Sequence, residues 1–202
     1  MSNSPDPKEL HDRLLLIESM IAEGRRKTRR WGWSFLLWGV AYYVAIAWST
    51  LGHSAFAWPV TMITAILLTV ALGRRTSVGA PSTSVGRSMG ALWMAGGIAL
   101  FVFGFCAAYS GYASTPILIA DIEVILGLVN LASGIVLCWW MQQLCGYLWT
   151  GFAIATFFLP EQTAGYFFLA AIFLCNILFG LILMILEMRD CKAISASGSA
   201  HA

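Results

Sequence analysis

Charge is scarce in this sequence, and long stretches of the chain contain none. Only 11% of the 202 residues are Asp, Glu, Lys or Arg, whereas 59% are hydrophobic. Soluble domains contain roughly a quarter charged residues. A soluble protein of this length could not bury so much apolar surface without exposing large patches. The scarcity of charge therefore argues against a water-soluble domain and indicates a protein that is dissolved in lipid.

Motifs for catalysis and metal binding are also missing. The cysteines are odd in number and form no CxxC pair, which argues against a disulfide framework or a metal cluster. There is no nucleophile with an adjacent base, no glycine-rich phosphate loop and no HExxH pattern. His53 is a lone histidine without partners at ligand spacing. We therefore expect a non-enzymatic protein that binds no metal and no cofactor.

Six long apolar runs are what the sequence does contain. They lie approximately at residues 33–51, 55–72, 89–110, 118–141, 144–159 and 163–186. Because backbone groups in hydrocarbon must bond internally, runs of this length predict transmembrane helices. All 12 Lys and Arg residues precede the first run, separate the second from the third, or follow the sixth. Since cytoplasmic connections are rich in Lys and Arg, the fold class we expect is all-α: a polytopic membrane protein with six transmembrane helices and cytoplasmic termini.

Three regions follow from this pattern: residues 1–30, a transmembrane domain at 31–188, and a flexible cytoplasmic tail at 189–202. The first region begins with a helix start signal, in which Asp6 caps, Pro7 takes the first helical position and Glu9 follows three residues after the cap. Apolar residues then recur at spacings of four, three and four, which predicts an amphipathic helix. These candidate partner-binding residues are Leu10, Leu14, Ile17 and Ile21.

The amphipathic helix has three possible uses at this stage. It lies flat in the membrane interface, pairs with a second copy, or binds a cytosolic partner helix. Acidic residues on its polar face argue against a role in lipid binding alone. The basic cluster that follows is expected to meet anionic lipid headgroups, and it lies too close to the membrane to favour nucleic-acid binding. Its members are Arg25, Arg26, Lys27, Arg29 and Arg30.

A short repeat suggests how the six helices are organised. The pairs Leu37-Trp38, Leu92-Trp93 and Leu148-Trp149 recur at intervals of 55 and 56 residues. Each pair opens a stretch of small and apolar residues at an equivalent depth of the first, third and fifth runs. The pattern predicts three two-helix hairpins that share one orientation around a pseudo-threefold axis.

The third run also carries a glycine every seven residues. Seven-residue spacing keeps glycines on one face of a helix and allows a neighbouring backbone to approach closely. We therefore expect this helix to be central in the bundle or to form a dimer contact. The glycines are Gly90, Gly97, Gly104 and Gly111.

Five polar residues within the fourth and sixth runs are candidates for a polar path: Asp121, Glu123, Asn130, Ser133 and Asn176. The two acids lie near the outer end of their run, so we favour outer-surface acids with access to water over a cation or proton site. For Asn130, Ser133 and Asn176 we favour hydrogen bonds between helices, which contribute about 1 kcal/mol each.

Aromatic and glycine placement gives the chain a further likeness. The amphipathic helix and its basic stretch lead into Trp33-Ser-Phe-Leu-Leu-Trp38-Gly39, and Trp58-Pro59, Gly86-Arg87 with Leu92-Trp93, and Gly146-Tyr-Leu-Trp149 follow. Together these segments resemble a family of small bacterial six-span proteins, over most of residues 8–188. The resemblance implies the bacterial inner membrane and six-span topology. It implies no activity and no catalytic residue.

Two functions remain open from the sequence. The first is an anchoring, regulatory or interaction protein, in which the amino-terminal helix binds a cytosolic partner or a second copy while the bundle contacts lipid, anionic lipid included. The second is a small transporter or channel for an uncharged or small solute. A continuous polar cavity between the hairpins would favour transport, and a solid core would favour anchoring.

Overall fold

The chain was analysed as a computed structural model that describes residues 7–54, 56–76, 84–110 and 114–199. The described residues form helices and short connections, without any strand. The helices are α1 (Pro7–Arg30), α2 (Gly32–Leu51), α3 (Ala57–Thr76), α4 (Ser84–Ser110), α5 (Thr115–Val136), α6 (Trp140–Phe157), α7 (Glu161–Ile172), a π-helical segment (Phe173–Leu178) and α8 (Phe179–Ser199).

The successive helices run up and down between two ends of one bundle. α1 lies at one of these ends, which we call the α1 end. There Gly24 lies against Leu137, just after α5, and against Val85, near the start of α4. The Trp31 ring lies against Gly73, near the end of α3. The start of α4 and the ends of α3 and α5 are therefore at the same end of the molecule.

The last helix returns to the α1 end as well, because Asp190 of α8 pairs with Arg29 of α1. At the opposite end, the Thr115 hydroxyl at the start of α5 donates a hydrogen bond to the Glu161 carboxylate at the start of α7. α7, the π-helical segment and α8 together form one continuous crossing of the bundle.

Five helical segments are long and apolar enough to cross a membrane by length and composition: Lys8–Leu51, Ala57–Arg75, Ser84–Ala107, Thr115–Val136 and Glu161–Asp190. They overlap five of the six predicted apolar runs, so for these runs the prediction of a helix that is long and apolar enough to cross a membrane is confirmed. The run at 144–159 lies in α6, which begins earlier, at Trp140, and is not among the five segments; its first turn contains Gln142 and Gln143.

The tightest packing in the bundle joins α5 to the antiparallel α6. A Cβ atom on Gly146 would lie 2.6 Å from the Leu131 backbone nitrogen, and one on Gly134 would lie 2.5 Å from the Gln143 nitrogen. The missing side chains therefore let the two backbones touch. Large side chains that are fully buried complete a solid core: Trp149, Leu137, Ile172 and Leu183.

Of the two positions expected for the third run, the central one is wrong, and a dimer contact stays a prediction. α4 packs on α5 and α1 at the margin of the bundle, and most of its side chains are exposed. No atom lies within 4 Å of a Cβ built on Gly90, Gly97 or Gly104. Contact with α5 uses Gly96 instead, whose Cβ would lie 2.5 Å from Val129. Gly111 lies outside the described residues.

Two further differences concern helix lengths and pairing. Residues 189–199 continue α8 as far as Ser199, where a flexible tail was expected. Each expected hairpin has contacting partners (α2 with α3, α4 with α5, α6 with α7), yet α5 and α6 of different hairpins are packed most extensively. The threefold repeat stays a prediction.

Candidate functional site

Arg25 fastens α1 to the end of α5. Its Nε donates a hydrogen bond of 2.6 Å to the Leu137 carbonyl oxygen, and its Nη2 donates one of 2.8 Å to the Cys138 carbonyl oxygen. The last carbonyl groups of a helix lack partners within the helix and carry partial negative charge. A guanidinium at this position satisfies two of them and complements the helix dipole.

Arg29 makes a second attachment one turn later. Its Nη1 lies 2.6 Å from the Asp190 carboxylate of α8, and its guanidinium lies 5.8 Å from the centroid of the Trp139 ring. Both guanidinium groups therefore bind within the protein, where only contact with lipid headgroups was expected, and the headgroup assignment itself stays a prediction. Within the basic cluster, Arg26 and Arg30 are exposed and Lys27 is half-buried.

The amino-terminal half of α1 is exposed on every side. Each residue from Lys8 to Ser19 is exposed, including the apolar Leu10, Leu14 and Ile17, which are 51%, 52% and 52% exposed. Ile21 is half-buried. We call Leu10, Leu14, Ile17 and Ile21 the amino-terminal stripe. Helices of this length are marginal in water without tertiary packing, and the amino-terminal stripe is an apolar surface that the described residues do not cover.

Glu123 is fully buried in the interior of the bundle, two turns from the start of α5 at Thr115. The expectation of water access is therefore wrong for this acid. The buried Thr156 hydroxyl of α6 is its polar neighbour, but neither carboxylate oxygen has a hydrogen-bond partner among the described residues. Asp121 lies on another side of α5 and is half-buried.

Asn130 and Ser133 lie seven and ten residues after Glu123, on the same side of α5. We call these three residues the polar row. The Asn130 Nδ2 donates to the Leu126 carbonyl oxygen of its own helix at 2.9 Å. The Asn130 Oδ1 and the Ser133 hydroxyl have no partner among the described residues. Both side chains are fully buried, so the expected hydrogen bonds between helices are not formed by either residue.

Asn176 is separate from the polar row in its packing. It belongs to the π-helical segment and lies against α2, where a Cβ on Gly39 would be 3.0 Å from the Asn176 Cβ. Its Nδ2 is buried and has no partner among the described residues. The five predicted polar residues therefore do not line one path: three share a face of α5, and Asp121 and Asn176 lie elsewhere.

The sequence analysis missed the buried polar residues of α6. Gln142, Trp149 and Thr156 are fully buried, and each has a side-chain nitrogen or oxygen without a partner in the described part of the chain. They recur every seven residues, as Glu123 and Asn130 do. Polar residues thus recur every seven positions in two consecutive helices. This pattern in the sequence could have predicted that α5 and α6 pack against each other.

One cavity in the bundle is apolar and does not include the polar row. It has a volume of about 210 Å³ and is lined by residues of α6, the π-helical segment and α8, including Leu144, Leu174 and Ile182. Within the described residues, no group of three His, Cys, Asp or Glu side chains is arranged to hold a metal ion.

Comparison with known protein families, with curated proteins and with solved structures finds no match for this chain. The resemblance to bacterial six-span proteins therefore stays a prediction.

Proposed function

We propose that the chain is a non-enzymatic protein of the bacterial inner membrane with six transmembrane helices, and that its role is regulation or interaction. Five apolar segments of sufficient length support the membrane location. For α6, the close packing against α5 supports a sixth crossing in spite of its two glutamines, because amides at the protein interior avoid lipid.

The orientation that we propose puts the α1 end in the cytoplasm. Every described Lys and Arg lies in α1, at the end of α3, at the start of α4 or near the end of the last crossing. These segments all meet at the α1 end. The described connections at the opposite end, around His53 and Glu161, contain no Lys or Arg. Such a one-sided distribution of cations is the usual signature of the cytoplasmic side.

The contact element in this proposal is α1, which would bind a cytosolic partner or a second copy. One observation carries it: Lys8–Ser19 is a helix exposed on all sides, while the remainder of α1 is fastened to the bundle by Gly24, Arg25 and Arg29. The bundle thus serves as the anchor. A rigidly attached, outwardly extended helix suits recognition by another protein.

Deletion of residues 1–19 tests the contact role, because it removes only the exposed part and retains Gly24 and Arg25. Partner recovery after crosslinking in cells and the oligomeric state should both change, whereas the thermal unfolding midpoint should not. A control deletes residues 192–202 from the other end of the chain, which follow Asp190 and leave its pair with Arg29 intact. Unchanged crosslinks and an unchanged oligomeric state would remove the contact role.

Transport of a small or uncharged solute is the second candidate. The observation that favours it is the polar row with its facing residues Gln142 and Thr156, because buried polar groups in membrane helices often mark a solute pathway. Flux into liposomes should then fall in Asn130→Leu but not in Asn176→Leu, since Asn176 lies apart from the polar row. Flux no greater than that of protein-free vesicles would exclude this candidate.

A further inference from the structure

The side of α1 that carries the amino-terminal stripe is the same side that α1 turns towards the bundle. Ile17 and Leu10 precede Gly24 by seven and fourteen residues, and residues at these spacings lie above one another on a helix. Gly24 is the residue of α1 that lies against Leu137 and Val85. Leu14 and Ile21 point between the directions of Gly24 and Arg25, and Arg25 also faces the bundle.

The contacts of α1 show that this helix crosses the end of the bundle. Arg29 meets α8 through Asp190, whereas Gly24, five residues earlier, has already reached the ends of α4 and α5. The helix continues from there towards its amino terminus as Lys8–Glu23, of which Lys8–Ser19 is exposed. At 1.5 Å per residue, the exposed stretch Lys8–Ser19 is about 18 Å of helix, and none of its residues is buried against the described bundle.

Along Lys8–Ser19, the side of α1 that faces in the same direction as Gly24 is not covered by any described residue of the bundle. With the α1 end at the membrane surface, as proposed above, this side of α1 would face the lipid that surrounds the bundle. We propose that the amino-terminal stripe inserts into the cytoplasmic leaflet at the headgroup–acyl boundary, so that α1 lies flat on the membrane beside the bundle. This inference rests on the proposed membrane location and orientation.

The opposite side of α1 has the composition that such a placement requires. Asp12, Ser19 and Arg26 share that side at intervals of seven residues, and all three are exposed. Asp12 and Glu23 would therefore point to water and away from the anionic leaflet, whereas Glu18 lies beside Leu14 at the edge of the stripe; this weakens the objection that the acids raise against lipid binding. Leu15 and Leu16 flank the polar side and are 52% and 62% exposed, which leaves two apolar residues for a protein partner on the cytosolic side.

Spin-label accessibility in nanodiscs of mixed zwitterionic and anionic phospholipid tests the placement directly. Single labels are introduced by Leu10→Cys, Leu14→Cys and Ile17→Cys, and by Asp12→Cys, Leu15→Cys and Ser19→Cys, in a chain whose exposed cysteines Cys106 and Cys138 and whose Cys191 are changed to Ala. The ratio of relaxation by lipid-soluble oxygen to relaxation by a water-soluble nickel complex should be severalfold higher for the first three labels than for the second three.

Two results would overturn the inference. One is equal nickel accessibility at all six positions, which would put the stripe in water. The other is dipolar coupling between labels at position 14 that disappears on dilution with unlabelled protein, which would assign the stripe to a second copy. Leu14→Glu provides an independent check, since it should lower the oxygen accessibility of position 10 without changing the unfolding midpoint of the bundle.

The inference and the proposed function can fail separately. If the stripe is in lipid but deletion of residues 1–19 leaves crosslinks and oligomeric state unchanged, the contact role falls and the placement stands. If the stripe is in water but the deletion abolishes a crosslink, the placement falls and the contact role stands.

Discussion

Arg25 and Leu137 are 112 residues apart in sequence, yet the Arg25 Nε donates a hydrogen bond of 2.6 Å to the Leu137 carbonyl oxygen. This bond couples the amino-terminal helix to the end of α5. It also satisfies the carbonyl group of the residue that caps α5. The position of α1 on the bundle therefore depends on this guanidinium together with the contacts of Gly24 and Arg29.

Replacing that guanidinium should weaken the attachment of α1. Arg25→Met keeps an unbranched apolar stem but removes both donors. Because a hydrogen bond from a charged group contributes about 2 kcal/mol, the thermal unfolding midpoint of the purified protein should fall by several degrees. Limited proteolysis should also cut α1 faster. Arg26→Met is the control, since Arg26 is exposed; an equal loss in both variants would contradict the role of Arg25.

Cys138 adopts a left-handed backbone conformation, with φ of 46°. It follows the end of α5, where the Trp139 backbone N–H donates to the Gly134 carbonyl oxygen at 2.8 Å, an arrangement that usually contains glycine. Cys138→Gly should therefore raise the free energy of unfolding by about 0.5–1 kcal/mol. Cys106→Gly, within α4, should lower it. Thermal unfolding of the two variants provides the measurement. A lower unfolding midpoint in Cys138→Gly would contradict the idea that the left-handed conformation strains Cys138.

The close approach of α5 and α6 should tolerate no side chain at Gly146. Gly146→Ala would put a Cβ atom 2.6 Å from the Leu131 nitrogen, and such overpacking costs about 1–3 kcal/mol. Gly151→Ala is the matched control in the same helix, because nothing lies within 4 Å of its Cβ position. It should be neutral or stabilising, since Ala favours helix over Gly. Equal unfolding midpoints for the two variants would contradict the packing.

Glu123 should contribute little to the stability of the fold. Both of its carboxylate oxygens lack a partner among the described residues, and an apolar residue of similar size often replaces such a group without loss. Glu123→Leu should therefore keep or raise the unfolding midpoint. Asp121→Leu, at a half-buried position, should change it little. A loss in Glu123→Leu as large as that in Gly146→Ala would instead indicate that the carboxyl group has a bound partner.

The helices were predictable because apolar length alone determines them in lipid. The run at 55–72, for example, became α3 (Ala57–Thr76) with few buried side chains. The packing of each helix was less predictable, since it depends on neighbours that are distant in sequence. The glycines of α4 show this: their spacing fits close packing, but α5 packs on Gly96 and leaves Gly90 and Gly97 open.

The polar residues show the same division. The sequence placed Glu123 near a helix end, which is correct for α5, but α6 packs over that position and encloses the carboxyl group. Similarly, the basic cluster at 25–30 was identified by its charge. The groups that bind Arg25 and Arg29, which are the Leu137 carbonyl and the Asp190 carboxylate, lie much later in the sequence. Exposure and pairing are properties of the assembled bundle.

The wide turn at Phe173–Leu178 affects how the last crossing tolerates length changes. There the Phe179 amide donates to the Leu174 carbonyl oxygen, five residues back, so the turn accommodates one residue more than an α-helical turn. Removing one residue here would convert the wide turn into an α-helical turn. The side chains that follow would keep their directions around the helix axis, including the Asp190 carboxylate that meets Arg29. The same excision inside α6 would swing the remainder of that helix by about 100° and misalign its contacts.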